Sequence, residues 1–167
     1  QYVMDCGRSY GLSTLVLRQS CIYGTRQFGI EDQGWVAWFV IAAVTGRSLT
    51  LYGTGKQVRD ILYIDDLVDF FLMISDNINA YRGEVLNIGG GAERAVSLLQ
   101  LLKLIESVLG RKIPIEFGQA RVGDQPVYIS DIGKATSVTG WMPKVSVEEG
   151  VLKLVKWVED NKFLFAT

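Results

Sequence analysis

Thr14-Leu15-Val16-Leu17-Arg18-Gln19-Ser20-Cys21-Ile22-Tyr23-Gly24 opens with a β-rich run, Thr14 to Arg18, and passes at Gln19 into a glycine-bearing loop that extends to Gly34. Short apolar runs bounded by turn residues mark strands buried on both faces. Upstream, Gln1 to Tyr10 carries the pattern of a helix end with Gly11 as its stop. Downstream, Trp35 to Thr45 is apolar throughout, of helical length, and closed by Gly46. The alternation then continues. Leu49 to Tyr52 and Val58 to Ile64 are extended, joined by a hairpin turn at Gly53-Thr54-Gly55. Asp65 or Asp66 caps a helix to about Ile74, and Glu84 to Ile88 is a strand ending at Gly89-Gly90-Gly91. Ser97 with Gln100 forms a capping box for a helix ending at Leu109-Gly110, Ile113 to Phe117 is a strand at an edge or start, and Asp131 caps a short helix stopping at Gly140. Ser146 with Glu149 is a second capping box, for a helix to about Asp160. Strands alternating with helices predict an α/β layer architecture in one continuous unit.

Composition narrows the chemistry. The 167 residues are 49% hydrophobic and 21% charged with a net charge of −1, which is the profile of a globular chain with a core of its own. A near-zero net charge gives no electrostatic argument for nucleic acid or an anionic membrane, so any bound anion must be held by a few placed arginines. The longest apolar stretch, Val36 to Val44, is too short to span a bilayer. Two cysteines, Cys6 and Cys21, make no disulfide framework, and the setting expected is reducing and cytoplasmic. Histidine is absent, which removes a Ser-His-Asp triad, a Cys-His pair and a His-ligated metal. No metal site is expected.

Three patterns imitate functional loops and fail on detail. Gly89-Gly90-Gly91 lies between a strand and a helix, but the sixth position of a dinucleotide fingerprint is Arg94. Gly55-Lys56 is followed by Gln57 and has Thr50 where a Walker A loop needs glycine. Tyr52 and Lys56 have the Tyr-x-x-x-Lys spacing that lets a lysine lower a phenol's pKa one helical turn away, yet two of the three intervening residues are glycines, each costing about 1 kcal/mol in a helix.

Leu17-Arg18-x-x-x-x-Tyr23-Gly24-x-Arg26-Gln27 resembles the strand and loop that follow the catalytic residues of extended short-chain dehydrogenases/reductases. Tyr52-Gly-x-Gly-x-Gln57-x-Arg59-Asp60-x-x-Tyr63-x-Asp65-Asp66, Asn87-Ile-Gly-Gly90, Arg121-x-Gly-Asp124, Asp131 through Gly140-Trp141-x-Pro143, and Glu148-Glu149-Gly150 follow in that superfamily's order. The chain is identified by resemblance as a member of the NAD-dependent epimerase/dehydratase family, and its wording from Arg18 to Gly29 and Glu31 to Phe39 most resembles the CDP-paratose (CDP-tyvelose) 2-epimerase family. The resemblance covers nearly the whole chain. It implies the C-terminal part of an extended Rossmann-type fold: residues 1–24 as a remnant of the Rossmann domain, with 1–167 forming the last sheet strands and the smaller α/β nucleotide-sugar-binding part. The glycine-rich NAD loop and the Tyr-x-x-x-Lys pair of that family would precede Gln1, so a truncated chain, inactive alone, is the expectation, with no catalytic residue in it. An inactive nucleotide-binding module is the alternative if Gln1 is a native start.

The resemblance also implies roles. Arg59 and Arg121 would grip the substrate diphosphate, because a guanidinium presents a planar fork to phosphate oxygens; a structural Arg59–Asp60 or Arg121–Asp124 ion pair is the competing account. Asp124 would orient Arg121 or touch the ribose, or simply serve as a turn acid. Gln33, Trp35 and Val36 stand at a helix start, where free N–H groups can meet a nucleotide, with core packing as the alternative for Trp35 and Val36. Tyr52, ending its strand, would pack on a pyrimidine or within its sheet. Gln19, Ser20 and Cys21 leave a strand where the nicotinamide end of NAD should lie, and Cys21 stands where asparagine is usual. Epimerisation at C2 of a CDP-linked deoxyhexose is implied first; a UDP-sugar 4-epimerase or dTDP-glucose 4,6-dehydratase shares the scaffold. A homodimer using the helix that ends near Tyr10 is a further implication.

Overall fold

The computed structural model describes residues 1–165, so residues 166 and 167 of the expected 1–167 unit lie outside the described residues. Its elements are α1 (Tyr2–Tyr10), β1 (Val16–Gln19), β2 (Cys21–Tyr23), α2 (Trp35–Thr45), β3 (Leu49–Tyr52), β4 (Val58–Tyr63), α3 (Ile64–Asp76), β5 (Val85–Ile88), β6 (Ala95–Ser97), α4 (Leu98–Leu109), β7 (Ile115–Gly118), β8 (Val127–Tyr128), α5 (Gly133–Thr139) and α6 (Val147–Asp160). The α/β alternation is as the sequence predicts. Strand pairing divides into three small sheets. β1 runs parallel to β5, β3 runs parallel to β7, and β4 lies between parallel β2 and antiparallel β6, with β8 parallel to it.

Several local expectations need correction. Gln19 to Gly34 is not all loop, since Cys21–Tyr23 pairs with Ile61–Tyr63 in parallel; three residues are too few to leave a periodic signal. Leu49–Tyr52 and Val58–Tyr63 are joined by a turn but form no hairpin, because β3 pairs with β7 while β4 takes other neighbours. The strand read at Ile113 begins at Ile115, after Pro114. Helix α3 starts one residue before Asp65, with Tyr63 at its N-cap and no side-chain cap. Asp66 is instead buried at 2% exposure and accepts the backbone N–H groups of Lys144 and Val145, both at 3.0 Å. Ile132 is the N-cap of α5, while Asp131 Oδ1 accepts the Gly133 N–H at 2.9 Å. Ser97 and Gln100 make the full reciprocal box. Ser146 makes only half of one, accepting from Glu149 N, while the Glu149 carboxylate pairs with Lys153 at 2.8 Å.

Helices α2, α4 and α6 pack into the larger core, in which Val40, Leu49, Leu101, Ile105, Val151 and Leu154 are essentially inaccessible. A smaller core lies under α3 and α5 against the β1–β5 pair, centred on Phe70, Leu86 and Ile88, with Trp141 edge-on to Phe70 at 5.2 Å. Burying such side chains contributes about 1.5–3 kcal/mol each, which is what holds these layers together. Ile64 touches both cores and joins them. The chain itself crosses between the sheets at Ser20. Its N–H still donates to Ile88 O of the β1–β5 ladder, and the next residue already belongs to β2. Among the described residues no helix is long and apolar enough to cross a membrane.

Candidate functional site

The end of β3, the start of β4, the N-terminus of α2 and the segment after β7 converge on one cavity of about 210 Å³. Its wall contains Trp35, Tyr52, Arg59, Arg121 and Asp124, five of the residues singled out from the sequence, together with Glu31, Asp32, Trp38, Phe39 and Gln57. A second cleft of about 400 Å³ is lined by Ser20, Cys21, Gln33 and Val36, with Asp32, Gly34 and Trp35 shared between the two. Gln19 is exposed at the end of β1 and lines neither.

Strand geometry explains how Arg59 and Asp60, adjacent in sequence, do different work. Successive side chains of β4 point to opposite faces. Arg59 therefore reaches the cavity, while Asp60 is fully buried behind it. The Arg59 guanidinium donates to Asp124 Oδ1 at 2.7 Å, to Gln125 O at 2.7 Å and to Val58 O at 2.8 Å. Asp124 Oδ2 accepts Gln57 Nε2 at 3.0 Å, and the same amide nitrogen donates to Tyr52 O at 2.7 Å. A continuous chain of bonds thus fixes Tyr52, Gln57, Asp124 and Arg59 relative to one another. Asp124 orients Arg59 and not Arg121, and neither Arg59–Asp60 nor Arg121–Asp124 is the pair that forms. Arg59 keeps a charge neutralised on one side and a planar fork at the cavity wall, suited to an anion.

Arg121 is held differently. Its guanidinium lies 4.3 Å over the Tyr52 ring and donates to Asp32 Oδ1 at 2.8 Å. The Tyr52 hydroxyl donates to Glu31 Oε1 at 2.7 Å, and that carboxylate partner raises the Tyr52 pKa. The arrangement combines an aromatic face, two guanidinium groups and a helix N-terminus, which suits a flat ring joined to an anion. Gly34 caps α2 in the left-handed region (φ 76°), a conformation that costs glycine nothing, and delivers Trp35 and Trp38 to the wall. The Trp38 indole N–H and the Gln57 side-chain oxygen are buried without a hydrogen-bond partner. The Val36 side chain is buried in the larger core at 2% exposure.

At the second cleft, Ser20 Oγ donates to Asp60 Oδ1 at 2.6 Å, and burial pushes the Cys21 thiol pKa up. Cys21 therefore favours the neutral thiol over a nucleophilic thiolate. The Gly89–Gly91 run is no phosphate cradle. Gly91 N donates to Asp60 Oδ2 at 3.2 Å, and a Cβ on Gly89 would fall 2.3 Å from the same carboxylate oxygen. The loop is filled by the protein's own acid, so the residues present do not fit the pyrophosphate of a dinucleotide. Among the described residues no group of three or more His, Cys, Asp or Glu is placed to hold a metal ion.

Sequence reasoning missed Glu31, Asp32, Trp38, Phe39 and the positioning amide of Gln57. Each stands inside a segment that carries the family resemblance, Glu31 to Phe39 or Tyr52 to Asp66, but residue type alone gave none of them a role.

Against known proteins, the sequence model described as the NAD dependent epimerase/dehydratase family matches residues 1–89. The chain is 40% identical over 162 residues to a CDP-paratose 2-epimerase of Salmonella typhi, a match covering 94% of this chain and 48% of that protein. A crystal structure of UDP-glucose 4-epimerase with UDP-glucose from Thermotoga maritima superimposes with a TM-score of 0.81 at 36% identity, covering 98% of this chain and 50% of the other. UDP-glucuronic acid 4-epimerase from Bacillus cereus, in complex with UDP-glucuronic acid and NAD, gives a TM-score of 0.81 at 26% identity over 93% of this chain and 48% of the other. The chain spans about half the length of these relatives. The family model over residues 1–89, relatives that cover 93–98% of the chain and the shared α/β fold leave one assignment: the chain belongs to the NAD dependent epimerase/dehydratase family.

Proposed function

We propose that this chain is the nucleotide-sugar-binding part of an NAD-dependent epimerase that inverts C2 of a CDP-linked deoxyhexose, with residues 1–24 belonging to the Rossmann domain and the rest to the substrate side. The single observation that carries this is the convergence of Arg59, Arg121, Tyr52 and Trp35 on one cavity, in a chain 40% identical to a CDP-paratose 2-epimerase. Arg59 and Arg121 take the diphosphate, Tyr52 and Trp35 flank the base, and Asp124 holds Arg59 in place. Gln33 and the backbone at Val36 line the cleft beside them, where Ser20 and Cys21 face the reacting end of the sugar and of NAD. Gln19 marks the strand end on that side.

When bound in the intact protein, NAD would supply the hydride acceptor and donor that an inversion at a sugar carbon requires. This chain's residues bind and orient. The hydride and proton chemistry, and most of the NAD contact, belong to residues outside it. A cytoplasmic homodimer that uses α1, whose Tyr2 and Tyr10 are exposed, completes the proposal.

A second reading is a UDP-sugar 4-epimerase, favoured by the 36% identity to the UDP-glucose complex; a dTDP-glucose 4,6-dehydratase uses the same scaffold. Titration calorimetry with CDP, UDP and dTDP separates them. CDP binding tightest is the expected result, and a clear preference for UDP removes the C2 assignment.

A further inference from the structure

We propose that Asp32 is a stand-in for the ligand's phosphate, competing for Arg121 until a phosphate replaces its carboxylate and so tuning the nucleotide cavity's affinity for anions alone; this rests on the nucleotide-sugar reading above. Two contacts tie the segment before α2 to the opposite wall. Asp32 Oδ1 accepts from Arg121 at 2.8 Å, and Glu31 Oε1 accepts from the Tyr52 hydroxyl at 2.7 Å. Arg121 is at the same time stacked on Tyr52 at 4.3 Å, so both contacts close over one aromatic ring. All four residues line the cavity.

The space is small for its role. About 210 Å³ falls below the ~300–1,000 Å³ usual for small-molecule sites. The Gln57 oxygen on the same wall has neither solvent nor a hydrogen-bond partner, although its amide nitrogen is doubly committed and so fixes which way the group faces. A buried acceptor left unpaired is costly. The Asp32–Arg121 and Glu31–Tyr52 pairs draw these walls toward one another.

The two arginines differ in a way that assigns them different tasks. Arg59 is 18% exposed and bound to two backbone carbonyls besides Asp124, so it stays where it is. Arg121 is 42% exposed, and its partner Asp32 is 81% exposed on a loop. An exposed ion pair is weak enough for a multiply charged ligand to replace. Asp32 thus acts as a stand-in anion. A diphosphate displaces it and gains Arg121, whereas an uncharged nucleoside has nothing to offer in exchange.

The test is titration calorimetry of this chain with CDP, inorganic pyrophosphate and cytidine. Asp32→Asn is expected to tighten CDP and pyrophosphate by about two- to fivefold, the worth of an exposed ion pair, and to leave cytidine unchanged. Glu31→Gln removes the same formal charge from the same loop without touching Arg121 and is expected to give a smaller gain. In an Arg121→Ala background the Asp32→Asn gain should vanish, which a double-mutant cycle reads directly. An unchanged CDP affinity in Asp32→Asn, an equal gain in the Arg121→Ala background, or an equal gain from Glu31→Gln overturns the proposal. A pyrophosphate gain without CDP binding keeps the stand-in role of Asp32 and removes the nucleotide reading. CDP binding without any gain does the reverse, and absence of binding by every probe removes both.

Discussion

Side chains that differ by one position in the sequence hold opposite stations here, and that decides which of them can be changed safely. Arg59 meets the cavity while Asp60 is sealed behind it, so Arg59→Ala removes a binding group without opening the core. We expect that substitution to weaken CDP binding by about 1.5–3 kcal/mol, the range of a charge-assisted hydrogen bond. An unchanged dissociation constant in calorimetry would remove Arg59 from the site. Cys21 offers a second test. Because burial raises its thiol pKa, little thiolate exists near neutrality, and alkylation by iodoacetamide should be slow at pH 7 to 8 and accelerate only above the range where an ordinary thiol ionises. Fast labelling at neutral pH, located at Cys21 by mass spectrometry, would contradict the buried placement. The arginines, Tyr52 and Trp35 were singled out on the family resemblance, against ion-pair and packing alternatives that the sequence left open, and all four line one cavity. Glu31 and Asp32 were not singled out, since an acid in an exposed loop looks the same in sequence whether it faces solvent or an arginine 89 positions away.

The elements followed their patterns where local physics decides and departed where tertiary contacts do. Helices α2 and α4 lie within their expected limits because glycine stops and the Ser97–Gln100 box act on the backbone next to them. Ser97→Ala should cost about 1 kcal/mol in urea-melt stability, with the nucleotide affinity unchanged. Asp66 is the instructive departure. An aspartate at a helix start looks like a cap, but here it is buried and turned away to bind the N–H groups of Lys144 and Val145, fastening the segment after α5 beneath α3. Nothing in a one-dimensional pattern distinguishes these uses, since both put an acid in the first turn. Asp66→Asn sets an amide N–H against a backbone donor, and we expect a loss of about 1–3 kcal/mol by urea denaturation. A change near zero would show that the two backbone groups find other partners. Strand β2 escaped detection for a simpler reason, its three residues being too few to repeat an alternating pattern.

At the scale of the molecule, two cores meet at Ile64, the sheets meet at Ser20, and Asp60 holds that junction together. The α/β class was legible from alternation alone; the division into three small sheets was not, because β4 draws its neighbours from distant parts of the chain. The same junction bears on the cofactor. A dinucleotide's pyrophosphate needs backbone N–H groups at a glycine-rich turn before a helix, with room for the phosphates to approach. In this chain the turn that comes nearest, Gly89–Gly91, has its space taken from two sides. The Asp60 carboxylate occupies the side facing Gly89 and accepts the Gly91 N–H, and the Ile61 carbonyl would lie 2.2 Å from a Cβ on Gly90. A phosphate placed there would meet a buried carboxylate, and like charges at such range repel strongly in a low-dielectric interior. Opening the space would also release Ser20 and break the crossing between sheets, so binding would come at the expense of folding. We therefore expect this chain to bind CDP measurably and NAD more weakly than micromolar in the same calorimetric experiment. Micromolar NAD binding would mean that these residues hold the cofactor by a route that bypasses the glycine turn, and that the division of labour proposed for the family fold is wrong for this protein.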